Sequence, residues 1–345
     1  MTAVDTPPPP AVTVIDIRDP TAAGAGIELI GQDAVKLLPA PFLARRITVR
    51  LATTAVLFHA TQFRVRTRTR AHGDLLGYVT FGPRTKGTVD GLPVRAGLLV
   101  AAAPGVEARF VVDTDWESVT LLVPPRILGE QLKARQREHA FRWPRDVELM
   151  EAGTDEVLAL FDWGRRLATT AARQPAIFDD RPDQRAAAEV ELLEMLLRAV
   201  GTAERLEPSR SDATRQSYSL VVKTAEDHAL SRIGEHLHVS ELCRAAGVSE
   251  RTLEYAFKEC LGLSPVTYLI RLRLHRVRQA LLAASQGTTT VSTEALNGGF
   301  WHFGEFSRAY KACFGELPSD TLRRKSLEEP TPGGSAAPPR AGRGS

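Results

Sequence analysis

Residues 247–265 read GVSERTLEYAFKECLGLSP and residues 299–318 read GFWHFGEFSRAYKACFGELP. The stretches match position by position: Leu253, Phe257 and Leu261 recur as Phe306, Tyr310 and Phe314. Each is followed by a glycine (Gly262, Gly315) and, three residues on, a proline (Pro265, Pro318). Apolar residues at i, i+4 and i+8 form one stripe of a helix. Gly247 and Gly299 stand where a preceding helix stops. Each copy therefore predicts helix, tight turn, helix.

In the first copy the leading helix is expected from about Ser240 to Ala246, burying Val239, Leu242 and Ala246. Ser249 is a good N-cap for the second helix, because its hydroxyl accepts from backbone N–H groups two or three residues on. The side of that helix away from Leu253 and Phe257 shows Glu250, Arg251, Glu254, Tyr255 and Lys258. A short helix, a glycine turn and a second helix with polar residues on its N-terminal half is the geometry that enters a DNA major groove. Arginine offers paired donors to guanine O6 and N7, and glutamate accepts from cytosine N4.

Between the copies, YLIRLRLHRVRQALLAAS carries Arg271, Arg273, Arg276 and Arg278 and no acid. Ile270, Leu274, Val277 and Leu281 predict the buried stripe of a linking helix. The arginines then flank it, open either to backbone phosphates or to acids of neighbouring helices. Across residues 217–326 there are 14 Lys+Arg against 11 Asp+Glu, while the whole chain carries a net charge of +3.

The segment VSELCRAAGVSERTLEYAFKECLGLSPVTYLIRLRLHRVRQALL, followed by GFWHFGEFSRAYKACFGELPSDTLR, resembles the DNA-binding domain of the AraC/XylS family of bacterial transcription regulators, over residues 217–326. The resemblance implies seven helices with two helix-turn-helix units on one rigid linking helix, and double-stranded DNA as partner. It places base contacts at Arg251, Glu254 and Tyr255 in the first unit and at Glu305, Ser307 and Arg308 in the second. Phosphate contacts would come from Ser249, Lys258, Arg271, Arg273, Arg276 and Lys311. Leu242, Gly247, Leu253, Phe257, Gly262 and Pro265 match the structural part of the first unit, and Phe300, Phe306, Tyr310, Phe314, Gly315 and Pro318 that of the second. Three positions depart from the family pattern: Glu294 stands where an apolar residue packs, Gly298 replaces a larger residue, and His302 is a weak N-cap.

Upstream, residues 46–123 hold short β-rich runs separated by turn signals, which predict an antiparallel sandwich or barrel. In FRVRTRTR the period is two: Phe63, Val65, Thr67 and Thr69 share one face, and Arg64, Arg66, Arg68 and Arg70 the other. The arginine face is expected to be a solvated outer surface. After Pro125 three helical patterns follow, the last with Val190, Leu193, Leu196 and Leu197 on one side and Met195 flanking, a stripe suited to core packing or to a dimer seam. The front half resembles the AraC/XylS family less specifically, and that resemblance implies a cupin-like barrel used for effector binding and dimerisation. The fold class expected is two-domain α+β: a β-rich, cupin-like barrel or sandwich with flanking helices, then an all-α domain with two helix-turn-helix motifs. The expected boundaries are a disordered tail at 1–25, an effector-binding and dimerisation domain at 26–205, a linker at 206–216, the DNA-binding domain at 217–326 and a second disordered tail at 327–345.

With 43% hydrophobic and 25% charged residues the composition is that of an ordinary globular protein. No basic segment followed by an apolar run opens the sequence, and no stretch approaches 18 uninterrupted apolar residues; a cytoplasmic protein with no membrane partner is expected. Cys243, Cys260 and Cys313 have no CxxC spacing and are expected to be reduced, small apolar residues. Before residue 210 the histidines are His59, His72 and His139, without HxH or HxxxH spacing, so neither a metal nor a cofactor is indicated. His59 and His72 are expected to be hydrogen-bonded structural residues. Walker, GxGxxG and GxSxG motifs are missing, which argues against an enzyme. What the AraC/XylS resemblance implies for the function is a homodimeric, effector-responsive transcription regulator, an activator acting with RNA polymerase. The rival is a regulator of the same fold controlled by a partner protein or by abundance.

Overall fold

The computed structural model of the chain describes residues 9–22, 28–38, 43–235, 237–285 and 287–328, and within these not the side chains of 140 and 324–328. Its first half is built from short strands in which side chains alternate between faces. They are β1 (Val12–Ile17), β2 (Ile30–Lys36), β3 (Ala44–Arg50), β4 (Ala55–Thr61), β5 (Val65–Ala71), β6 (Leu76–Phe81) and β7 (Gly87–Val89). There follow β8 (Leu92–Pro93), β9 (Leu98–Ala102), β10 (Glu107–Val112), β11 (Trp116–Val123), β12 (Val147–Glu151) and β13 (Glu204–Arg205). An eight-stranded sheet runs in the order β1-β3-β4-β11-β6-β9-β12-β13 and a five-stranded sheet in the order β2-β5-β10-β7-β8.

The sheets pack face to face. Phe81, Leu98, Val100 and Trp116 of the larger sheet meet Val65, Val89, Phe110 and Val112 of the smaller in one buried cluster. The outer face of the larger sheet is covered by α1 (Pro125–Ala134), α2 (Thr154–Arg173), α3 (Ala176–Asp179) and α4 (Pro182–Gly201). On α4 the buried stripe is Leu192, Leu193, Leu196 and Leu197, whereas Val190 is exposed. The expected stripe was thus right in its leucines and wrong at Val190, because α4 packs on α2 and α3, and the side it turns to them carries Leu192, Leu193, Leu196 and Leu197 but not Val190.

Residues Val12–Ile17 pair along their whole length with Ala44–Val49, so the expected tail at 1–25 is corrected within its described part. The apolar alternation of VTVIDI completes a sheet edge although proline-rich sequence precedes it. The tail expectations for residues 1–8, 23–25 and 329–345 lie outside the described residues. The expected linker at 206–216 is corrected too. Ser209 accepts from the Asp212 N–H at 3.2 Å and caps α5 (Arg210–Ser231), which is already helical through most of that span.

Six further helices complete the second half: α6 (Val239–Ala246), α7 (Glu250–Leu261), α8 (Pro265–Ala283), α9 (Val291–Asn297), α10 (Phe303–Phe314) and α11 (Pro318–Glu328). Helices α5 to α7 close a core around Leu242, Leu253, Phe257, Leu261 and Tyr268. Helices α9 and α10 close a second around Leu274, Val277, Leu281, Phe306 and Tyr310. Helix α8 serves both cores and therefore buries more than one stripe. Leu274, Val277 and Leu281 are buried as expected, but so are Tyr268, Leu269 and Leu272, while Ile270 is 40% exposed.

The outer face of the five-stranded sheet is largely covered, with Arg66 buried, Arg64 and Arg68 half-buried and Arg70 alone exposed as expected among the four arginines of FRVRTRTR. Val35, Leu37 and Val111 join the same buried cluster as α5, α6 and α7, and Arg66 is only 2% exposed. The expectation for the FRVRTRTR arginines is corrected for Arg66 and Arg68: the alternation holds, but the helical second half packs onto this face and supplies acids to it.

Two histidines are enclosed. Burial holds His59 and His275 down to about 3, with Arg46 adding to the effect on His59. Both are neutral in the folded chain at pH 7, whereas in the unfolded chain they take up protons near 6.5. Stability is therefore full above pH 6.5 and falls as the pH is lowered toward 3, by about 1.4 kcal/mol per unit for each histidine. We expect the stability loss between pH 7 and pH 5, measured by urea titration, to shrink by about 1–2 kcal/mol in His275→Gln; an unchanged loss would refute the assignment.

Candidate nucleic-acid interface

Each helix-turn-helix unit is fixed by its caps. Ser249 accepts from the Thr252 N–H at 3.2 Å. Gly247 (φ 66°) and Gly262 (φ 72°) close the flanking helices in the left-handed conformation that glycine adopts without a Cβ penalty. In the second unit Thr290 caps α9 by accepting from the Thr293 N–H at 3.1 Å, and Gly315 (φ 80°) closes α10. His302 precedes α10 without a side-chain cap bond, the weakness its residue type suggested. Gly298 is a different matter. A Cβ there would lie 2.4 Å from Val277 Cγ2, so the small residue permits close packing of α9 on α8. Glu294 is accommodated by accepting from the Thr289 hydroxyl at 2.6 Å.

The apolar signature residues face inward. Phe300 packs tilted on Phe306 at 5.0 Å, Phe306 edge-on against Tyr310 at 5.7 Å, and Tyr310 tilted on Phe314 at 4.7 Å. The opposite sides are open. Arg251, Glu254 and Lys258 are exposed on α7, as are Glu305, Arg308 and Lys311 on α10, with Ser307 half-buried. Tyr255 is 57% exposed and rests edge-on against Tyr218 at 5.3 Å. Both recognition helices thus present polar residues on their N-terminal halves, backed by rigid aromatic cores. Chemically this surface can donate to and accept from base edges in a groove.

The arginines of α8 point elsewhere. Arg271 donates to Lys36 O at 3.3 Å and Arg276 pairs with Asp33 at 3.2 Å, both across to the β-rich half. Arg273 donates to Glu235 O at 2.8 Å. Arg278 pairs with Asp19 and with Glu316, the latter at 2.8 Å, and lies 4.5 Å over the Phe314 ring. Of the two roles the sequence left open, these side chains take contacts within the protein in this arrangement.

Two groups the sequence did not single out become visible only in three dimensions. A cavity of about 80 Å³ lies between the two sheets, several times what one water needs. Its walls are mainly apolar, with Arg46, His59, Gln32 and Thr67 at polar positions. Burial pulls the Arg46 guanidinium down to about 10, and Arg46 donates to Gln32 Oε1. His59 Nδ1 and Thr67 Oγ1 are buried without a hydrogen-bond partner, which corrects the expectation of a hydrogen-bonded His59. His72 Nδ1 does make such a contact, 3.0 Å from Glu28 O. The second group is the buried carboxylate of Glu226, considered below. Period-two alternation in residues 65–71 was the one signal in the sequence for either.

Among the described residues, no cluster of three or more His, Cys, Asp or Glu is placed to hold a metal ion, and no helix is long and apolar enough to cross a membrane. The cysteines are unpaired, and burial pushes the Cys260 thiol up to about 11.

Residues 242–324 match the family model described as a helix-turn-helix domain. The chain is 33% identical over 112 residues to XylDLEGF operon transcriptional activator 3 of Pseudomonas putida, covering 32% of this chain and 33% of that protein. It is 35% identical over 103 residues to the probable thc operon regulatory protein of Rhodococcus erythropolis, covering 30% and 31%. Among solved structures, a probable AraC family transcriptional regulator from Rhodopseudomonas palustris is 33% identical, with a TM-score of 0.29, covering 30% of this chain and 96% of that one. The C-terminal domain is of the AraC/XylS family. The AraC/XylS match stops short of the β-rich half, and it spans about a third of the length of the curated relatives.

Proposed function

We propose that the chain is a sequence-specific DNA-binding transcription regulator, an activator acting with RNA polymerase, that works as a homodimer and answers to a small-molecule effector. The observation that carries the reading is the pair of second helices of the helix-turn-helix units, with exposed Arg251, Glu254 and Tyr255 on one and exposed Glu305 and Arg308 beside half-buried Ser307 on the other. These residues read bases. Ser249, Lys258 and Lys311 contact phosphate, while Arg271, Arg273 and Arg276 do so only where their contacts within the protein are given up. The cavity between the sheets supports effector control. Its apolar walls and few polar atoms suit a compact, mostly apolar molecule with one hydrogen-bonding end. Control by a partner protein or by abundance is the rival, and the discriminator is whether any small molecule shifts the melting of the full chain.

The experiment is selection from a random double-stranded DNA library at near-physiological salt. Two blocks with centres about one helical turn apart are expected, and repetition of that unit would indicate a dimer. Enrichment of no sequence would overturn the reading. Replacing Arg251 by Ala is expected to weaken binding of the selected site by about 1–3 kcal/mol and to relax preference at one base position in the first block. An unchanged preference would remove Arg251 from the reading set.

A further inference from the structure

The five-stranded sheet has two occupied faces, and its ladder rows alternate between them. Gln32, Thr69 and Ala108 lie side by side in one row, as do Ala34, Thr67 and Phe110 in another. All but Ala34 of these line the cavity. The row between them is Asp33, Arg68 and Arg109, and it faces the DNA-binding domain. Arg276 pairs with Asp33 at 3.2 Å, Asp227 pairs with Arg109 at 3.0 Å, and Arg68 lies 3.6 Å from Asp227.

At the centre of this contact Arg66 lies 3.4 Å from Glu226, with side chains 2% and 1% exposed. Burial lowers the Arg66 guanidinium, and Glu226, Tyr268 and Asp90 together outweigh that and raise it. The other Glu226 oxygen accepts from the Tyr268 hydroxyl. Glu226 belongs to α5 and Tyr268 to α8, the two helices that frame the first helix-turn-helix unit. One carboxylate therefore ties the sheet to both.

We infer that occupancy of the cavity is passed to the DNA-binding domain through the backbone shared by Thr67 and Thr69 on one face and Arg66 and Arg68 on the other, with the Arg66–Glu226–Tyr268 link as the coupling element. Neighbouring residues of a strand are about 3.3 Å apart and point to opposite faces. A displacement of the threonines therefore moves the arginines with them. The covalent connection is a poorer route. It leaves from β13, which pairs with β12 at the far edge of the larger sheet, and no described residue that lines the cavity lies in either strand. This inference rests on the effector reading of the cavity and replaces the chain connection by the sheet as the path of the signal.

The test needs no identified effector, because a side chain can occupy the cavity. Ala108→Leu fills it from β10. It is made in the full-length chain and again in a chain carrying Arg66→Met, Glu226→Leu and Tyr268→Phe, in which apolar residues of similar size replace the whole link and Arg109 keeps Asp227; the melting of this chain is checked first. Amide hydrogen exchange of residues 222–229 and 268–272 is read without DNA. The expected result is a shift of at least fivefold from Ala108→Leu when Arg66 and Glu226 are present, and below twofold when they are replaced. Equal shifts in both chains, or no shift in either, would overturn the coupling. Should Ala108→Leu fail to fold, Ala108→Val, a smaller intrusion into the same cavity, takes its place with the same criteria. Failure of DNA selection strikes only the DNA-binding reading, since the exchange measurement does not use DNA.

Discussion

Replacing Glu226 by Ala is expected to destabilise the full chain by about 3–5 kcal/mol, the cost of leaving a buried partner charge uncompensated. Glu226 is 0% exposed, and its carboxylate meets Arg66 at 3.4 Å, Arg109 Nε at 4.0 Å and the Tyr268 hydroxyl. Without it two guanidinium groups and a phenol remain in a dry interface. Arg109 can still turn fully to Asp227 at 3.0 Å, whereas Arg66 has no other acid within ion-pair distance among the described residues. The loss would be read by urea titration against Glu207→Ala, an exposed position where a change within about 0.5 kcal/mol is expected. A loss no greater than that of the control would show that the two halves are not joined through this carboxylate.

Replacing Phe306 by Ala is expected to remove the second reading head while leaving the first. Truncation of a buried phenylalanine costs about 3–5 kcal/mol, and the core of the second unit is small, built on Leu274, Val277, Leu281, Ala295, Phe306 and Tyr310. Phe306 stands at the centre of its aromatic row, between Phe300 and Tyr310. A loss of this size opens such a unit locally. The first unit has its own core around Leu253, Phe257 and Tyr268. DNA selection with the variant should then return one block in place of two. Retention of both blocks at unchanged affinity would mean that the second unit is held by something other than this core.

The doubled unit was legible because its determinants are local. A helix cap, a left-handed glycine and an i, i+4, i+8 stripe act over a dozen residues, so Ser249, Gly262, Phe257 and their counterparts Gly315 and Tyr310 could be placed from the sequence, together with the polar residues that must face away from them. The strands of the first half could be read in the same way from alternation at period two. That logic failed where the local signal was weak or misleading: the strand at Val12–Ile17 behind a proline-rich opening, and the start of α5 at Arg210 in a stretch without apolar periodicity.

What covers a face is not a local property. Alternation in FRVRTRTR fixed which side chains share a side of β5, but Arg66 is buried because Glu226, 160 residues later in the chain, is brought to it by packing. The same holds for the arginines of α8, whose spacing allowed phosphates or acids and whose partners at Lys36 O and Asp33 are set by the docking of the two halves. The cavity, too, is closed by residues from both sheets. The sequence by itself determined the two helix-turn-helix units and the alternating strands, since short-range sterics and hydrogen bonding specify them. Only the tertiary structure decided that the sheet is covered on both faces around Arg66, because the energy of burying a charge depends on a partner that sequence spacing does not identify.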